Sequence, residues 1–111
     1  MTAGSYFTVP QTANFLAAKA VASATSFLDG RSDAARLGTD ADQLILDMLA
    51  VPNHPDAANL SDPARLLVIA MMRMARCREP WRLERWQMIV ASLVELVRRE
   101  SSEMHAAGAA S

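Results

Sequence analysis

The chain has 111 residues, enough for one domain and too few for two, and its 51% hydrophobic and 21% charged residues exclude both a disordered tail and a membrane-embedded chain. Aromatic residues make up only 5% while methionine occurs 7 times, which favours helices over sheet, and a lone Cys77 excludes an intramolecular disulfide. The net charge of −1 hides an asymmetry: residues 1–62 carry three basic and seven acidic side chains, residues 63–111 eight basic and five acidic.

The first element expected is a helix over Val9–Leu28, capped by Thr8, opened by Val9 and Pro10 and stopped by Gly30. Val9, Ala13, Leu16, Ala20, Ala24 and Phe27 share one face, and its alanines admit a close neighbour, while Phe15 stands off that face as an interface residue. A single turn over Ser32–Leu37 precedes Gly38. Thr39 then caps a second helix with Asp42 in its first turn, and Leu44, Ile45, Met48 and Leu49 form its apolar stripe before Pro52 ends it. Pro52–Asp56 has turn chemistry and a short turn follows over Ala57–Leu60.

Asp62 before Pro63 opens a third helix, expected over Pro63–Arg78. Leu66, Leu67, Ala70, Met71, Met74 and Cys77 cover one side of it, and Val68, Met72 and Ala75 extend the arc. Arg65, Arg73 and Arg76 leave only a narrow polar stripe, interrupted by Ile69. A helix apolar on most sides belongs at the centre of a fold or in an oligomer interface. The fourth helix starts at Glu79-Pro80 and reaches Met104. Leu83, Trp86, Val90, Leu93 and Val97 repeat at three- and four-residue spacing, and Ile89 and Leu96 widen the arc to roughly 160°. Glu95, placed before Arg98 and Arg99, marks its solvated side. The expected architecture is all-α: a compact bundle of four main helices with short connecting turns and the third helix central. It forms one domain over residues 1–104, with residues 105–111 as a flexible tail.

The chemistry-bearing residues are sparse. His54-x-Asp56 is the one close pair of metal-ligand types, Cys77 lies on an apolar face and His105 in the tail, so no metal site is expected. No phosphate-binding loop or nucleophile elbow occurs, and Asp40, Asp42 and Asp47 read as capping or solvent-facing charge, so neither catalysis nor a cofactor is expected. Met1–Pro10 lacks the basic and apolar regions of a secretory signal, and the apolar runs fall far short of the ~20 residues that span a bilayer, which sets the expectation of a cytoplasmic chain without membrane association.

Two binding readings remain. Between Arg65 and Arg85 six arginines face only Glu79 and Glu84, with Trp81 and Trp86 interleaved. Arg73, Arg76, Arg78, Arg82 and Arg85 are therefore candidates for contact with nucleic acid or with acidic groups, including the acidic first half of the same chain. Trp81, next to Pro80, is expected to plug the junction between the last two helices, and the gap between them lacks the glycine of a helix-turn-helix turn. The leading reading rests on surplus apolar surface. Ile69, Met72, Leu83, Trp86, Ile89, Val90, Leu93, Leu96 and Val97 form the candidate interface of a homodimer or of a helical protein partner, in a regulatory or adaptor-like module.

Overall fold

A computed structural model describes residues 14–50, 57 and 59–110, with side chains as far as residue 103. The chain is all-α. Its four helices are α1 (Phe15–Leu28), α2 (Ala34–Leu49), α3 (Asp62–Ala75) and α4 (Pro80–Ala110), and no strand occurs among the described residues. None of these helices is long and apolar enough to cross a membrane.

Helix α1 begins later than its apolar pattern suggests. Asn14 is extended (φ −148°, ψ 127°), and its side-chain oxygen accepts the Leu16 and Ala17 amides at 2.9 and 3.2 Å. An asparagine in this role ends a helix, because its short side chain takes the place of the missing carbonyls. A continuous helix from Val9 is therefore replaced by one capped at Asn14, and the expected Thr8 cap lies outside the described residues. At the other end Gly30 adopts φ 78°, and the Gly30 and Arg31 amides donate to the Phe27 and Ser26 carbonyls at 3.0 and 2.9 Å. This Schellman arrangement needs the left-handed backbone that glycine adopts without a Cβ clash.

The largest departure from expectation is in α2. Ser32–Leu37 is not a separate turn and Thr39 is not a cap: one helix runs through Gly38, capped by Asp33, whose carboxylate accepts the Arg36 amide at 2.9 Å. Thr39 instead donates its hydroxyl to the Ala35 carbonyl at 3.1 Å. Helix α2 approaches the end of α3 at this glycine, where an added Cβ would lie 3.5 Å from that of Ala75, an ordinary contact that alanine would also satisfy. Leu37, Ala41 and Leu44, spaced four and three residues apart, bury the inner face.

Helix α3 packs against α1, α2 and α4 and carries much of the core. Leu67, Val68, Met71 and Met74 are fully buried, with Ala64 and Ala70 beside them. The cap is Ser61, one residue before the expected Asp62, and its hydroxyl accepts the Ala64 amide at 3.3 Å while Asp62 and Pro63 occupy the first turn. The helix ends at Ala75, with Arg76 as C-cap, so the expected continuation to Arg78 gives way to a turn over Cys77–Glu79. The backbone of α4 stays helical to Ala110 and does not stop near Met104. Its 31 residues make it about 46 Å long, more than twice α3. Among the described side chains Val90, Val94 and Val97 are its buried residues, flanked by the partly buried Leu83, Trp86 and Leu93. Among the described residues no buried side-chain nitrogen or oxygen lacks a hydrogen-bond partner.

Candidate functional site

The outer side of the α3–α4 pair is a groove of about 560 Å³, lined almost entirely by apolar side chains. Helix α3 contributes Leu66, Ile69, Ala70 and Arg73, and α4 contributes Trp86, Met88, Ile89, Ser92 and Leu93. These side chains diverge from the core for a reason of spacing. The core uses one face of α3 for Leu67, Met71 and Met74, so Leu66, Ile69 and Arg73 point to another side. Leu66 is 54% exposed, Ile69 42%, Met88 69% and Ile89 45%, and Leu96, one heptad beyond Ile89 on α4, is 44% exposed. With about 200 Å² for a fully exposed side chain of this size, the five present roughly 500 Å² of apolar surface, within the ~300–600 Å² of a monomer's largest patch.

The predicted interface residues divide. Ile69, Ile89 and Leu96 are exposed, and Met72, Leu83, Trp86 and Leu93 are half-buried against the core, with Trp86 and Leu93 also forming the groove wall. Val90 and Val97, 0% and 3% exposed, belong to the interior and are withdrawn from the surface. Seven residues apart, with Val94 between them, they occupy the strip of α4 that faces the other helices. Leu66, Met88 and Ser92 were missed. Leu66 reads as core on a helical wheel, and Met88 and Ser92 fall outside the arc traced from Leu83 to Val97.

The arginines are also sorted by the fold. Arg73 lines the groove. Arg76 points the other way and donates to both Asp42 oxygens, at 3.2 and 3.4 Å, so it is bound to the acidic first half of its own chain. Arg78 is exposed in the α3–α4 turn. Arg82 lies 3.4 Å from Glu79, and the Arg82 and Arg85 guanidiniums flank the Trp81 ring at 5.2 and 5.9 Å from its centroid. Trp81 is not a buried plug: it is 56% exposed, because it stands seven residues before Met88 on the outward side of α4.

A second, larger cleft of about 700 Å³ lies between α1 and α2, lined by Lys19, Ser23, Arg31, Arg36, Asp40 and neighbours. Its charges largely satisfy one another. Ser23 donates to Asp40 at 2.8 Å, Arg36 sits 3.1 Å from the other Asp40 oxygen, and Lys19 stands over the Phe15 ring at 5.5 Å. Among the described residues no three His, Cys, Asp or Glu side chains converge on a point. His54 and the side chain of His105 lie outside the described residues.

No protein-family model matches the chain, and no curated protein or solved structure shows significant similarity to it.

Proposed function

We propose that this chain is a helical protein-binding module, regulatory or adaptor-like, whose α3–α4 groove receives the apolar face of an amphipathic helix. The observation that carries the reading is the contiguous exposure of Leu66, Ile69, Met88 and Ile89 in a concave surface, with Arg73 at its edge. A helix laid in such a groove would bury apolar surface at about 25 cal/mol per Å², and the arginine would favour acidic groups on the incoming helix. The core is complete without these side chains, so the groove is surplus to folding. The test pairs wild type with Ile69→Asp/Ile89→Asp. Circular dichroism should be unchanged, as should thermal unfolding at a concentration where both chains are monomeric. Self-association measured by light scattering, or retention of a protein from the source cell on the immobilised chain, should be lost. If wild type and variant are equal in both, the groove is not a docking site.

A second reading is favoured by one observation, the exposed Trp81 with two guanidiniums against its ring. An indole beside Arg82 and Arg85 could stack on an unpaired base while the arginines neutralise phosphates. In that case labelled single-stranded DNA should bind with an affinity that falls steeply as salt rises, and Trp81→Ala should weaken it. Absence of salt-dependent binding ends this reading.

A further inference from the structure

We infer that the helix received by the groove is α4 of a second copy of this chain, lying antiparallel to the first. The inference rests on the docking reading above and adds the identity of the occupant. Its basis is the order of residues along the side of α4 that faces the groove. At three- and four-residue spacing, this side carries Arg82 and Arg85, then Ile89, Ser92 and Leu96, then Glu100 and Glu103. One end is basic, the middle is apolar with a small residue at its centre, and the far end is acidic. Such a stripe repels a parallel copy, which would set arginine on arginine and glutamate on glutamate. It is complementary to an antiparallel one. With the two-fold axis between Ser92 and Leu93, Ile89 faces Leu96 of the second copy, Arg85 faces its Glu100 and Arg82 its Glu103. The axis repeats each of these pairs, as a closed isologous interface requires. The antiparallel arrangement also opposes the two helix dipoles favourably.

The acidic end is held ready. Ser61 donates its hydroxyl to Glu100 at 2.7 Å, which fixes that carboxylate beside the start of α3. At the basic end Arg82 has Glu79 at 3.4 Å, but both side chains stay more than half exposed, so the local pair does not use up the positive charge that Arg82 and Arg85 share. The area agrees with a dimer. Two patches of roughly 500 Å² supply about 1,000 Å² of apolar burial, to which Arg82, Arg85, Glu100 and Glu103 of each copy add, against the ~1,200–2,000 Å² of a stable interface. Ser92 at the axis lets the helices approach closely.

The experiment measures mass in solution by light scattering and sedimentation on the full chain, with circular dichroism to show that each variant is folded. Wild type should be a dimer with micromolar dissociation. Arg82→Glu/Arg85→Glu should raise the dissociation constant roughly tenfold or more, since two rim pairs are reversed on each side of the axis. Adding Glu100→Arg/Glu103→Arg to the same chain should restore it, a recovery that only an antiparallel register gives. In a Cys77→Ser background, Ile89→Cys with Leu96→Cys should oxidise to a covalent dimer, and Ile89→Cys alone should not, because only the 89–96 pair comes within disulfide range. A dimer unaffected by the double reversal, or one that links through Ile89→Cys alone, overturns the arrangement. A strictly monomeric wild type also overturns it. The docking reading then survives only if the Ile69→Asp/Ile89→Asp variant still loses a retained partner. If the monomer instead binds DNA in a salt-dependent way that the double reversal abolishes, the arginines serve phosphates and the second copy is excluded.

Discussion

The two sides of this bundle meet solvent in opposite ways. On the α1–α2 side, serine, arginine and aspartate are tied to one another: Ser23 to Asp40, Arg36 to Asp40, Asp33 to the Arg36 amide. On the α3–α4 side, leucine, isoleucine and methionine stand open over a core that closes without them. Both sides are built from amphipathic helices, so amphipathicity alone does not account for the difference. It lies in how the outward apolar residues are grouped: Phe15, Leu46 and Leu49 are exposed outside the apolar groove, while Leu66, Ile69, Met88 and Ile89 line it together. Helix α2 turns Leu37, Ala41 and Leu44 inward and leaves Leu46 and Leu49 open only at its C-terminal end, so Leu49 is not part of the buried stripe its spacing predicts, whereas α3 has one face used by Leu67, Met71 and Met74 and another, bearing Leu66 and Ile69, that forms a groove with α4. A single domain of this length buries the first of these faces and leaves the second open to solvent.

The largest effect that separates the two faces of α3 comes from neighbouring leucines. Leu67→Ala leaves a cavity in a fully buried site and should cost about 2–5 kcal/mol, while Leu66→Ala should cost less than about 1 kcal/mol in the isolated chain. Urea unfolding at a concentration where the chain is monomeric measures both. Equal costs would mean that the outer face is also core, and the distinction drawn between the faces would fail.

On the opposite side, Ser23→Ala removes the hydroxyl that joins α1 to Asp40 of α2 and should cost about 1 kcal/mol, with no effect on association. Gly38→Ala should act in the other direction. The added Cβ meets Ala75 at ordinary contact distance, and alanine is the better helix former, so about 0.5–1 kcal/mol of stabilisation is expected in thermal unfolding. Gly38→Leu, which cannot fit between α2 and α3, should destabilise by about 1–3 kcal/mol. If alanine destabilises as leucine does, the two helices are closer there than the 3.5 Å contact allows.

Much of this architecture is legible in the residues, and the failures are specific. Periodicity identifies the four helices and the inward strip of α1, and Pro63 and Pro80 mark the starts of α3 and α4 within a residue. Local signals mislead where two residues compete for one role. Thr39 and Asp33 can both cap, and Asp33 is used because a helix starting there also buries Leu37, a gain visible only once α3 is in place. Ser61 and Asp62 compete in the same way, and the start of α1 is marked by Asn14, whose side chain takes two amides. Of the site, Ile69, Ile89, Leu96 and the groove wall of Trp86 and Leu93 follow from surplus hydrophobicity. A helical wheel cannot separate Leu66 from Leu67, because 100° is less than the width of a buried face and only the neighbouring helices decide which edge is covered. The same ambiguity makes Val90 and Val97 read as interface residues in the sequence although they are buried.

The smallest expected effect concerns Arg76, which meets a carboxylate of the acidic half. Arg76 and Asp42 form a two-oxygen contact, yet both side chains are more than half exposed, at 58% and 53%. A double-mutant cycle with Arg76→Ala and Asp42→Ala should give a coupling of about 0.2–1 kcal/mol that shrinks as salt is raised. Because this pair bridges α2 and the end of α3, away from the groove, its removal should leave the dimer dissociation constant unchanged, whereas Arg85→Ala should weaken the dimer measurably. The contrast between two arginines nine residues apart is the finest division the proposal makes. If Arg76→Ala weakens association as much as Arg85→Ala does, the partner is held by the cluster's net positive charge and not by a register along α4, and charge steering alone would account for the basic half of the chain.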